Sequence, residues 1–275
     1  MDWQPLSVRE GRKGPSQLHD GVPDHLRQPI QYWLEGVFGY RSPGGMAVSG
    51  MLRVATATGI PVARTFNDPD VLKSIFAACD EDKDLYLDVI DAILNLGQAS
   101  PGEVWSLRDT LQTGRSIFTV SGNGKSLQRR TDPTAEAALS EALAGRDASA
   151  EELSEAWEKA YGRDPDPSDA WDHAIKAVEA ALVPIVCPRQ DKPQLGHVLG
   201  QLSRQGDQWE LALPGGDGSH SVEPLVKMLQ LLWPNPDRHG SSSERRSPTS
   251  EEAEALVHLA VAIVQWGRKG ILRAR

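Results

Sequence analysis

Apolar residues recur at three- and four-residue spacing along most of this chain, which is the spacing of one helix face. In VPDHLRQPIQYWLEGVFG, Leu26, Ile30, Trp33, Leu34 and Val37 share such a face, and Pro23 suits the first helical turn. GGMAVSGMLRVATATG predicts a short helix of small residues. Asp68-Pro69 opens another at DPDVLKSIFAACD. DKDLYLDVIDAILNLG predicts a further helix closed by Gly97, and SPGEVWSLRDTLQTG sets Val104, Leu107 and Leu111 on one side. The period then changes. In RSIFTVSGNGKSLQRRTD, apolar and β-branched residues flank Asn123-Gly124, a turn signal, so residues 115–130 predict one β-hairpin. A lone hairpin is marginal in water and must pack on helices.

Helical spacing resumes and runs to the C-terminal end. DPTAEAALSEALAG and SAEELSEAWEKAYG each begin with a capping residue and end in glycine, and Ser149 with Glu152 reads as a capping box. DPSDAWDHAIKAVEAALVPIV predicts a long helix with Ala170, Ala174, Val178 and Ala181 on one stripe, bent or ended by Pro184. QLGHVLGQLSRQG is a shorter helix, and DQWELALPGGDG a short strand or extended loop. SVEPLVKMLQLLW is an apolar helix stopped by Pro234 and Pro236. A last helix spans about 249–267, with Glu251, Glu252 and Glu254 in its positive first turn. The expected fold class is mainly α. A helical N-terminal domain of residues 1–132 ends in the hairpin, and a helical bundle occupies 133–275. GRDPDPSD, 162–169, reads as the foremost hinge, with the domain cut alternatively near 131–133, and residues 1–21 are polar and expected to be mobile.

Composition narrows the function classes. Of the 275 residues, 39% are hydrophobic, enough for a core and too many for a disordered chain. No apolar run reaches the roughly 20 residues that cross a bilayer, and the N-terminal stretch lacks the apolar segment of a secretory signal. Cys79 and Cys187 have no metal or redox spacing, so a reduced, cytoplasmic setting is expected. Net charge is −9, without the field of a non-specific DNA binder. Its distribution is uneven. Residues 1–132 carry 14 Lys/Arg and 16 Asp/Glu, residues 133–219 carry 7 and 16, and residues 220–275 carry 8 and 6. Only the last segment is basic, through Arg245, Arg246, Arg268, Lys269, Arg273 and Arg275. Such a patch reads as a surface for RNA or an acidic partner, or as a solvated tail.

Three local patterns resemble known sites. TVSGNGKS ends like a phosphate loop, but Thr119 stands where that loop needs glycine. DEDKDLYLDVID spaces Asp80, Asp82, Asp84, Asp88 and Asp91 like a calcium loop, but Leu85 occupies the place of the turn glycine, and helical spacing runs through it. The histidines are scattered, without the spacing of a zinc site. His173 and His258 read as packing or surface residues inside helices. No metal or other cofactor is expected.

NPDRHGSSSERRSPTSEEAEALVHLAVAIVQW places Arg238, His239 and Gly240 in a polar loop between two apolar helices. A histidine can exchange a proton with a ribose hydroxyl, and an adjacent arginine can stabilise charge on phosphate. The plainer reading is a turn in which Asp237 pairs with Arg238 and Gly240 reverses the chain. The order LVKMLQLLW, RHG, SPTSEEAEALVHLAVAIVQW, with DPSDAWDHAIKAVEAAL and LGHVLGQL upstream, resembles the HEPN-like C-terminal domain of abortive-infection proteins over about residues 165–268. Residues 1–130 are similar to actinobacterial proteins, a likeness that implies no activity. Active members of the HEPN group usually carry an arginine roughly four to six residues before the histidine, on a helix paired across a dimer; here that window holds no arginine, and Arg238 adjoins His239 instead. The resemblance implies an RNA-directed bacterial protein of defence or stress response. Its enzymatic form would be a metal-independent ribonuclease, with Arg238 and His239 catalytic and Arg245 and Arg246 binding substrate. The alternative is a non-catalytic interaction or dimerisation module. The apolar faces of the last two helices predict a homodimer through the C-terminal domain. The N-terminal domain is expected to meet a protein partner.

Overall fold

The computed structural model describes all residues except 1–4, 15–16, 39–45, 63–67, 217, 234 and 236–245. It is mainly helical, with twelve α-helices among the described residues and two small antiparallel strand pairs. The chain divides into two compact units, Met1–Arg130 and Thr131–Arg275.

The first unit contains α1 (Leu6–Arg9), α2 (Asp24–Val37), α3 (Met46–Ala57), α4 (Asp68–Glu81), α5 (Asp84–Asn95) and α6 (Pro101–Thr113), then β1 (Phe118–Val120) and β2 (Leu127–Arg129). Its core gathers the apolar stripe of α2, through Leu26, Ile30 and Leu34, with Tyr86, Ile90 and Ile93 of α5 and Leu107 and Leu111 of α6. Ser100 starts α6 in a capping box with Glu103. At the end of α6, a Cβ on Gly114 would run into the Leu26 side chain, so only glycine allows α2 this close. The hairpin forms with Val120 opposite Leu127. Its connection is wider than a two-residue turn. The Asn123 side-chain oxygen accepts the Ser121 hydroxyl at 2.7 Å and the Lys125 N–H at 2.9 Å. Phe118, Val120 and Leu127 are buried, which supplies the apolar support a small hairpin needs. The stretch before α2 is not all loose. His19 donates its N–H to the Arg115 carbonyl and accepts from Ile117, which stitches it to the base of the hairpin.

The second unit contains α7 (Pro133–Leu143), α8 (Ala148–Tyr161), α9 (Pro167–Val186), α10 (Leu195–Arg204), β3 (Trp209–Leu211), α11 (Glu223–Leu232), α12 (Ser250–Arg268) and β4 (Leu272–Ala274). α9 is central and packs on α8, α10 and α12. Its stripe of Ala170, Ala174, Ala177 and Val178 is fully buried, and small side chains let neighbouring helices approach. Three local expectations change. Pro184 does not end α9 at its own position: the helix runs two residues further, to Val186, although this proline has no N–H for the helix ladder. α8 is capped by Asp147, which accepts from Ala150 N–H at 3.0 Å and the Ser149 hydroxyl at 2.7 Å, so Ser149 lies inside the helix. The C-terminal stretch is not a solvated tail: Leu272–Ala274 pairs with Trp209–Leu211. The stretch 162–169 is a turn between α8 and α9 inside this unit, closed by the Asp166 cap.

Candidate functional site

The loop that joins α11 to α12 carries the sequence candidates. Arg238, His239 and Arg245 lie outside the described residues, and the two roots of the loop lie within them. At the first root, Trp171 of α9 donates its indole N–H to the Leu232 carbonyl at 2.9 Å. The next residue of α9, Asp172, is buried and accepts from the Asn235 amide at 2.6 Å; Asn235 is buried too. Burying a carboxylate is costly unless it is hydrogen-bonded, so this bond ties the start of the loop to the most central helix.

Trp233 packs on the start of α10. A Cβ on Gly196 would sit 3.3 Å from its indole nitrogen, close enough that the ring would have to shift by a few tenths of an ångström. Beside Gly196, the Leu195 N–H donates to Glu179 at 2.6 Å. Burial pushes the Glu179 carboxyl above its ordinary range, against the Leu195 N–H, which lowers it. His197 accepts the Gln194 N–H through Nδ1 at 3.1 Å, which fixes the proton of a neutral ring on Nε2.

The second root is built on the α12 cap. Thr249 and Glu252 form a reciprocal capping box. Arg246 closes on the same carboxylate with both terminal nitrogens, at 2.7 and 2.5 Å. The Arg246 contact, followed by the Thr249 N–H, holds the Glu252 carboxyl at about 2. Arg246, expected to bind substrate, is thus engaged by its own chain.

The other cations of the basic segment behave alike. Arg268 reaches Asp147 at 2.5 Å and Ser149 at 2.8 Å. Lys269 reaches Glu141 at 2.8 Å, and Arg273 reaches Glu210 at 2.7 Å. Arg275 lies 3.8 Å from Glu210 and donates to the Ser219 carbonyl. These cations hold β4 and the end of α12 in place.

The remaining motifs resolve into structure. His258 Nε2 and the Tyr161 hydroxyl are hydrogen-bonded at 2.7 Å, and the imidazole stands edge-on to Trp157. Burial, helped by Glu254, pushes the Tyr161 phenol well above its usual range, so the phenol keeps its proton. His173 lies between Glu152, at 2.6 Å, and Asp169, at 3.6 Å. In the acidic stretch, α4 runs through Asp80 and α5 starts at Asp84. Tyr86 donates to Asp80 at 2.7 Å, and Arg27 closes on the same carboxylate. Asp91 accepts the Leu127 N–H at 2.6 Å. Among the described residues no group of His, Cys, Asp and Glu is placed to hold a metal. Ser126 of the phosphate-loop lookalike is buried and bonded to Ser121. Among the described residues no helix is long and apolar enough to cross a membrane.

The apolar faces of α11 and α12 are covered inside the unit. Leu225, Leu229 and Leu232 are buried, as are Leu256, Val257, Ala260 and Val264. Leu231 is exposed. Asp172, Asn235 and Glu179 are the site residues that the sequence reading missed. The available signal was Asp172 itself, a carboxylate beside the apolar stripe of a long helix.

Comparison with protein-family models, with curated proteins and with solved structures finds no match.

Proposed function

We propose that the second unit is an RNA-directed, HEPN-like module whose Arg238-His239 loop cleaves RNA without a metal. The setting in bacterial defence or stress response follows from the resemblance alone. One observation carries the chemical part of the reading: the buried Asp172–Asn235 bond three residues before Arg238. A loop needed only to reverse the chain gains little from a buried carboxylate at its root. A loop that must aim two side chains at one phosphate needs a fixed start.

In this reading His239 removes the proton of a ribose 2′-hydroxyl, and the oxygen attacks the adjacent phosphorus. The bond to the 5′-oxygen breaks, and that oxygen leaves with the proton that His239 took up. The products are a 2′,3′-cyclic phosphate and a free 5′-hydroxyl. Arg238 stabilises the charge that builds on the phosphate oxygens. Association as a homodimer through α11 and α12 belongs to the same proposal, with exposed Leu231 as its apolar contact. Light scattering of wild type and Leu231→Glu tests that part.

The second reading, a non-catalytic interaction module, is favoured by the engaged cations Arg246, Arg268, Lys269, Arg273 and Arg275. The experiment is cleavage of single-stranded RNA in EDTA by wild type and His239→Ala. Loss of a general acid/base lowers the rate roughly 10²–10⁴-fold, and Arg238→Lys is expected to be slow too, because an ammonium lacks the forked contact. Wild-type protein that leaves RNA intact, or His239→Ala that cleaves as fast, sinks the ribonuclease reading in favour of the interaction module.

A further inference from the structure

We propose that α11 carries both halves of a self-complementary contact: Leu231 of one copy seats in the cleft at the start of α11 of a second copy, and the reverse. The inference rests on the homodimer of the reading above. It concerns the second unit alone and does not depend on RNA cleavage.

The two features share one helix face. Leu231 is 66% exposed, although Leu229 and Leu232 beside it are fully buried. Along α11, Lys227 lies one turn before Leu231 and Pro224 two turns before it, so the three residues fall in one row. Pro224 and Lys227 line a cleft of about 540 Å³. Leu211 of β3, Leu213 just beyond it and Trp266 of α12 line the same cleft. Leu213 is itself 49% exposed. An exposed apolar knob and an apolar cleft thus lie on one outer surface, about 10 Å apart along the helix axis.

That spacing selects a second copy as the occupant. Leu231 cannot fill the cleft of its own chain, because the rigid rise of the helix holds it two turns from Pro224. In a two-fold pair the same patch faces itself, so residue i on j implies j on i. With the axis crossing α11 between Lys227 and Met228, antiparallel helices set Leu231 opposite Pro224 of the partner subunit, and both clefts are filled at once. A foreign partner would have to supply a knob and a hole at this spacing; a second copy has both.

The middle of the face agrees. Met228 is partly buried, and its unbranched side chain adapts to a facing surface. Lys227, beside the axis, would meet its own image. Its ammonium lies 4.0 Å from Glu223, one turn back towards the start of the helix. The lysine stem rather than the charge then lies near the axis. The contact is small, which places it among weak, concentration-dependent interfaces.

Cross-linking reads the register. Two full-length surface-cysteine variants, Leu231→Cys and Pro224→Cys, one of them tagged to differ in mass, are mixed and treated with a short bis-maleimide. The native Cys79 and Cys187 are buried and stay unmodified. The mixture should give covalent heterodimer at least about tenfold above the homodimer that either variant gives alone, because the two-fold axis keeps like positions apart. Light scattering should place the wild-type midpoint at about 10–100 μM. Leu213→Glu should raise that midpoint at least about tenfold and leave the melting temperature unchanged. A monomer at every concentration overturns the contact together with the homodimer of the reading above. A dimer that shows no cross-link from Leu231→Cys to Pro224→Cys, that cross-links as well through Leu231→Cys alone, or that Leu213→Glu leaves unchanged overturns this contact and spares that reading.

Discussion

Along the C-terminal stretch, Arg268, Lys269, Arg273 and Arg275 each reach a carboxylate of their own chain, whereas Glu35 on α2 and Asp109 on α6 reach no cation among the described residues. Both stretches are charged, and the charges have opposite consequences. In the second unit they close the fold: they fasten β4 to β3 and the end of α12 to the turn before α8. In the first unit Glu35 stands in the wall of a cleft with exposed Tyr32. Charge that is paired within the chain is poorly available to a ligand, because a partner must first break the existing contact and then compete with it. A basic run therefore marks a binding surface only where its cations are left over after folding.

If this contrast holds, removing charge from the second unit costs stability and removing it from Glu35 does not. The largest effect is expected at the buried bond. Asn235→Ala removes the donor to Asp172, and loss of a partner of a buried polar group typically costs about 1–3 kcal/mol. Urea unfolding measures it, and a value indistinguishable from wild type would mean that the root of the loop is not held by this bond.

Arg268 comes next. Its guanidinium reaches Asp147 and Ser149 through one nitrogen, while Nε and Nη1 are buried without a partner among the described residues. Its desolvation is only partly compensated, so an apolar replacement of similar length should be mild. Arg268→Ala, which loses the packing as well, is expected to destabilise by about 1–2 kcal/mol, and Arg268→Met by less. The reverse order would show that the ion pair outweighs the packing.

The same site has a pH signature. The Ser149 hydroxyl, then the Ala150 N–H and Arg268, hold the folded Asp147 carboxyl at about 2, below its ordinary 3.8. A depressed carboxyl contributes stability above the unfolded value, and that contribution is lost as pH falls from about 4 towards 2. Arg268→Ala should move this loss to higher pH, and carboxyl chemical shifts followed through an acid titration can check it.

Arg273→Ala should have a smaller effect. The pair with Glu210 is largely exposed on the arginine side, and exposed pairs contribute about 0–1 kcal/mol. Faster amide exchange confined to β3 and β4 is the expected readout. The smallest change is at Glu35→Gln, which should leave the melting temperature as it is, since an unpaired surface substitution usually stays within ~0.5 kcal/mol. A clear destabilisation there would mean that Glu35 serves the fold and that the comparison fails.

Much of the helical layout was legible because a helix is written in its own neighbours. Leu26, Ile30, Trp33 and Leu34 announce α2, Thr249 and Glu252 announce the start of α12, and Asn123-Gly124 announces the hairpin. Each signal lies within a few residues of what it specifies, since the backbone bonds concerned are local. The cap of α8 was misread for a related reason: Asp147 and Ser149 are both capping residues, and only the backbone entering the helix decided between them.

What spacing alone determined is therefore the mainly helical class, the order of the helices and the place of the hairpin. What only the tertiary structure decided is which distant groups meet. Arg268 finds Asp147 across 121 residues, Arg273 finds Glu210 across 63, and Asn235 finds Asp172 across 63. Leu272–Ala274 becomes a strand because β3 offers it an edge. No periodicity encodes such partners. Their meeting depends on how α9 gathers α8, α10 and α12 around its small-residue stripe, and that packing sets which charges are neutralised and which remain exposed.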